Sequence, residues 1–134
     1  MDTPELAAQE LARLVSRLRS IGARRLATGS VPPFPTRADA IHHLVRELVL
    51  VADSSHGFPR RFEDVLLGDQ LAVVGADALR ALSSEGDPAH ARFVLGEIVL
   101  HRFDLDGSLP KGDAVRILGE GDLVALLRAR CPAG

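Results

Sequence analysis

The sequence predicts an all-α domain: a single small bundle of four or five helices with a proline-rich crossover after the first. Three observations carry this. Apolar residues recur three and four apart over long stretches, as on one face of a helix. Leu, Val and Ala must fill the core, because the 134-residue chain has no Trp or Tyr and only five Phe, and Ala and Leu lose least on entering a helix. Helix-starting pairs, Asp or Thr close to Pro or an acidic residue, precede three of these stretches. The alternative is an α+β fold with strands in the C-terminal third.

The length suits one domain spanning 1–134, enough to bury a core without staples. The net charge of −2 gives no basic footprint for nucleic acid. Fifteen of the sixteen basic residues are arginine, which with the abundant Ala and Gly reads as a GC-rich coding sequence. The single Cys131 excludes an internal disulfide and fits a reducing cytoplasm. It precedes Pro132 near the chain end, where a nucleophile would have few neighbours to activate it. No signal pattern opens the chain and no apolar run reaches the roughly 20 residues that span a bilayer, so a cytoplasmic location with no membrane span is expected.

Asp2-Thr3-Pro4-Glu5 opens the first helix, expected to run to about Arg25. Leu11, Leu14, Val15, Leu18 and Ile21 form its buried face, and five arginines from Arg13 to Arg25 make its second half basic. Residues 27–36 form the linker. Pro32, Pro33 and Pro35 predict an extended, polyproline-like path, with Phe34 as an anchor on the bundle. Thr36 and Asp39 resemble a capping box and open a second helix to about Ala52, with Ile41, Leu44, Val45, Leu48 and Val51 facing inward. Turn residues follow from Asp53 to Pro59.

Phe62 to Leu82 reads as the helix around which the others pack. Leu67, Leu71, Val74, Ala78 and Leu82 make one stripe, while Leu66, Val73 and Leu79 widen the apolar arc. Gly68, Ala72, Gly75, Ala76 and Ala78 would allow close backbone approach. Ser83 to Gly86 end it. Asp87-Pro88 starts a further helix, Ala89 to about Phe103, although Phe93-Val94-Leu95 and Ile98-Val99-Leu100 also suit a buried strand. Asp104 to Ser108 reads as a turn. It begins like a calcium loop, but the twelfth position is Val115 rather than the closing Glu. The tail splits into apolar units 113–118 and 122–130, either helices or the two strands of a hairpin.

The phosphate-loop, zinc-finger, H-E-x-x-H and G-x-S-x-G patterns are absent. Two constellations remain. His43 and Glu47, four apart on the second helix, and Glu97 and His101, four apart on the fourth, would face each other if those helices are antiparallel neighbours. Two His and two carboxylates from facing helices is how bundle metal sites are built, with His42 and His90 nearby. The bland reading is two exposed ion pairs, since the ferritin-like Glu-x-x-His spacing is missing. Asp69, Asp77 and Arg80 form the second set. On a helix buried nearly all round they would need partners such as Arg46, Arg60 or Arg92, and could build a polar network or line a small-molecule cleft.

The first functional expectation is therefore a non-enzymatic protein-interaction or self-associating module, with no cofactor. The second is a metal-dependent bundle enzyme using His43, Glu47, Glu97 and His101 with a divalent metal. The third is a regulator that binds a small ligand. The balance leans away from an enzyme.

Overall fold

The computed structural model describes residues 2–29, 31, 33–52 and 63–106, together with the separate positions Arg116, Leu118, Gly119, Gly121, Val124, Ala125 and Arg128. The fold is all-α: among the described residues there are helices α1 (Thr3–Ser20), α2 (Ala23–Leu26), α3 (Arg37–Ala52), α4 (Leu67–Glu85) and α5 (Pro88–Asp106), and no strand.

Helix α1 starts as the sequence indicates, with Asp2 Oδ1 accepting the Glu5 N–H at 2.8 Å. It ends at Ser20 rather than Arg25, because Ile21 and Gly22 are extended and the chain restarts as the single turn α2. Gly22 weakens a helix by about 1 kcal/mol relative to Ala, and the break lets both Ile21 and Leu26 enter the core. The crossover is not a polyproline path. Val31 and Phe34 exchange two backbone hydrogen bonds, of 3.1 and 2.6 Å, and so close a tight turn. Polyproline II makes no such bonds. The Arg37 guanidinium ties this segment to α2, donating to the carbonyls of Arg25 and Thr28 at 3.2 Å each. Gly29, at φ 77°, lies where a Cβ would strike that guanidinium.

Thr36 Oγ1 accepts the Asp39 N–H at 3.1 Å and caps α3 as expected. Helix α4 begins at Leu67, after a 3-10 turn over Asp64–Leu66, and runs past Leu82 to Glu85, where Gly86 at φ 73° donates back to the Leu82 carbonyl. Asp87 Oδ1 caps α5 through the Ala89 N–H at 3.0 Å. The Phe93–Leu100 stretch is thereby helix and not strand, and the helix continues through the expected turn at Asp104 to Asp106. The hairpin alternative for 111–127 lies largely outside the described residues; Leu118, helical, joins the core.

Four long helices form a square in which α1 and α3 each pack on α4 and on α5. Gly68 against Val15 and Leu18, and Gly75 against Leu11, make α1 and α4 antiparallel. Gly75 is needed for this approach, since a Cβ there would collide with the Leu11 side chain. His43 lies against His101, and the later part of α3 shares a pocket with the earlier part of α5, so α3 and α5 are antiparallel too. The central position assigned to α4 is a correction: its stripe of Leu67, Leu71, Ala78 and Leu82 is buried, but Val73 is 66% exposed. The most enclosed helix is α5, where every residue from Val94 to His101 except Glu97 is buried.

Candidate functional site

The α3/α5 seam brings the two predicted His/Glu pairs together. The His43 and His101 rings stack with centroids 6.5 Å apart and an interplanar angle of 15°. Phe34 covers them from the crossover, 5.0 Å from His43 and 6.5 Å from His101. It is the anchor the sequence indicates. The pairs are not simply exposed ion pairs, because His101 is fully buried and Glu97 is 16% exposed. His101 Nδ1 lies 2.7 Å from the Glu97 carbonyl oxygen. That oxygen only accepts, so the bond assigns the hydrogen to Nδ1. The carboxylates are farther off: His43 Nε2 to Glu47 Oε1 is 3.6 Å, and His101 Nδ1 to Glu97 Oε2 is 3.9 Å.

Stacked rings present faces to each other, whereas metal ligands must aim lone pairs at one point. Accordingly, among the described residues no three His, Cys, Asp or Glu side chains are gathered to hold a metal ion. One helical turn along from the rings, Glu47 and Glu97 line a pocket of about 150 Å³. Leu44, Leu48 and Val94 make it apolar and His90 borders it; His42 is half-buried elsewhere on α3. The pocket lies between α3 and α5, which pack less closely than the other neighbouring pairs.

Asp69, Asp77 and Arg80 do not form a buried network. Asp69 is 62% exposed and takes hydrogen bonds from Arg19 Nε and Nη2 at 3.1 and 2.8 Å. Asp77 and Arg80 pair with each other at the surface. Of the expected partners, Arg46 and Arg92 are exposed and Arg60 lies outside the described residues. The buried charge is instead Glu10, 3% exposed, which binds Arg13 Nη1 at 2.7 Å and Arg102 Nε at 3.0 Å. Its sequence signal is position: Glu10 sits one helical turn from both Ala7 and Leu14, on the apolar stripe itself.

A larger feature follows the α1/α4 seam. It is an open groove of about 570 Å³, with the largely buried Leu11 and Val15 and the half-buried Leu79 at its floor between Ala8, Ala12, Ala72 and Ala76. No helix among the described residues is long and apolar enough to cross a membrane. Compared with known protein families, curated proteins and solved structures, the chain finds no match.

Proposed function

We propose that this protein is a non-enzymatic helical module that associates with a second copy of itself through the α1/α4 face. The observation that carries this reading is the open apolar groove. Its exposed Ala8, Ala12 and Ala76 and half-buried Ala72 and Leu79 leave a shallow apolar channel between α1 and α4 into which a ridge of side chains can pack, the arrangement that helix-on-helix packing uses. Exposed Val73 extends the apolar surface on α4. An apolar strip bordered by charge is the usual mark of a docking surface.

Charge favours a second copy as the occupant. Arg13 and Arg19 lie on α1, and Asp69 and Asp77 on α4. A twofold axis that lays α1 of one copy over α4 of the other faces unlike charges, as Arg19 and Asp69 already do within one chain. With 18 residues in α1, the two-helix face is about 27 Å long and 20 Å wide, on the order of 500 Å². That is below the roughly 800 Å² per partner of a standard interface, so the expected dimer is weak, with a Kd on the order of micromolar.

Sedimentation velocity from about 1 μM to 1 mM tests this. A dimer that dissociates on dilution, and is lost in Ala76→Arg and Ala12→Arg variants of unchanged helicity, supports the reading. Both positions are exposed, so the fold tolerates the substitutions. A monomer throughout overturns self-association.

A further inference from the structure

We propose that the second copy docks with its α4 antiparallel on α1, and that ionic strength controls the association through charges at the two ends of the groove. Arg19 and Asp69 stand at one end, Glu5 and Arg80 at the other. The proposal rests on the self-association reading and adds the partner's orientation and what regulates it.

The register of α1 against α4 places these charges. Gly68 lies against Leu18 and Arg19, and Gly75 against Leu11. Arg19 therefore meets Asp69, and their hydrogen bonds bridge one end of the groove. Glu5 stands six residues before Leu11, and Arg80 five after Gly75. At 1.5 Å per residue both lie about 8 Å farther along, so they are level at the other end. Glu5 precedes Ala8 by three positions and Arg80 follows Ala76 by four, which sets both on the faces that line the groove. Both are exposed. The lining residues between the two ends carry no charge. Helix dipoles favour an acid early and a base late in each helix, but they do not require these charges to share a face with an uncharged centre. An uncharged centre with a charged rim is the pattern of an interface.

The Arg19–Asp69 bridge selects the partner and its orientation. Its hydrogen bonds use Arg19 Nε and Nη2 and a single carboxylate oxygen, Asp69 Oδ1. Nη1 and Oδ2 remain for another partner, and both side chains are more than half exposed. A twofold axis parallel to the helices brings the same bridge of the second copy against this one. Nη1 of each Arg19 then meets Oδ2 of the other copy's Asp69, and four charges alternate in sign around the axis. At the far end Glu5 of each copy faces Arg80 of the other, beside the Asp77 that already holds Arg80. A twofold axis across the helices would instead lay each bridge over Glu5 and Arg80 and lose the match of bridge to bridge. These exposed pairs are individually weak and are screened by salt. They set orientation and rate of encounter, while the apolar lining supplies the buried area.

Sedimentation velocity of the full chain in about 0.05 M and about 0.5 M NaCl tests this. The samples are the parent, Arg80→Glu, Glu5→Arg and the double variant, with circular dichroism to check that helicity is unchanged. The expected parent dimer has a Kd that rises about tenfold with salt, and each single variant weakens it about tenfold at low salt. The double variant, which restores unlike charges between copies, should return to within about threefold of the parent. A parent that stays monomeric at low salt removes self-association itself, and this proposal with it. A dimer indifferent to salt or to Arg80→Glu overturns the charge control and leaves self-association standing. A double variant weaker than either single one overturns the orientation, because under the crosswise axis the exchange sets like charges opposite Arg19 and Asp69.

Discussion

Glu10 and Arg102, 92 positions apart, meet at 3.0 Å across the α1/α5 seam, and the two ends of this bond are unequally buried. Glu10 is 3% exposed, while Arg102 is 21% and Arg13, its other partner, 60% exposed. The penalty for breaking a pair falls on whichever charge is left in the core. Arg102→Leu leaves the Glu10 carboxylate inside with one partner fewer and should cost about 2–3 kcal/mol. Glu10→Leu leaves two arginines that can turn to water and fills a place on the apolar stripe, so it should fall within about 1 kcal/mol of the parent. Urea midpoints of the two variants check the asymmetry; equal losses would refute it.

Gly29 and Arg37 offer a second test, because one holds open the space the other fills. Ala at residue 29 must adopt a left-handed conformation and push the guanidinium off the Arg25 and Thr28 carbonyls. Gly29→Ala should cost about 1–3 kcal/mol, combining left-handed strain with the lost bonds. Arg37→Ala removes the same bonds without the strain. In the double variant the clash is gone and the bonds cannot be lost twice, so its cost should be at least about 1 kcal/mol below the sum. Additive thermal shifts would mean that the contact does not hold the crossover.

Phe34 should report on the histidine stack. With its ring centroid 5.0 Å from His43, it shifts the imidazole proton resonances by its ring current. Phe34→Leu keeps an apolar anchor but removes that current, so the His43 signals should move most. The expected loss of stability is about 1 kcal/mol, mainly from aromatic contact. Unmoved histidine resonances would show that Phe34 does not cover the stack in solution.

The fold was legible where local chemistry repeats. Stripes at helical spacing and the capping residues Asp2, Thr36 and Asp87 placed four helices, because these signals act within a few residues. Relations between helices were less legible. The width of the apolar arc on α4 suggested a central helix, yet arc width does not say which neighbour covers each part. Part of that arc, including Val73, faces solvent, and α5 is the enclosed helix. The facing of His43 with His101 followed from spacing and antiparallel order, but spacing does not fix ring orientation, and the rings stack. Glu10 was missed because a carboxylate on an apolar stripe is read as a boundary. Its partner Arg102 is distant in sequence.

The role of His101 can be separated from a ligand role by shape. Its ring is fully buried against His43 and Phe34, and its Nδ1 hydrogen bond goes to the Glu97 carbonyl. In a regular helix that carbonyl already accepts the amide N–H of residue 101, so losing the imidazole does not orphan it. His101→Phe keeps an aromatic ring of similar size and should stay within about 1 kcal/mol of the parent. His101→Ala leaves a cavity and should cost about 2–4 kcal/mol. A ligand role predicts the opposite ranking of what matters: Phe and Ala would be equally damaging to metal loading, since neither has a nitrogen to offer. Thermal melts with and without added zinc, on the parent and both variants, decide between the two. A zinc-dependent rise in the parent that both variants lose would make the stack a metal site. Melts that follow side-chain volume and ignore zinc would make His101 a core residue, held by its packing against His43 and Phe34 and by its Nδ1 hydrogen bond.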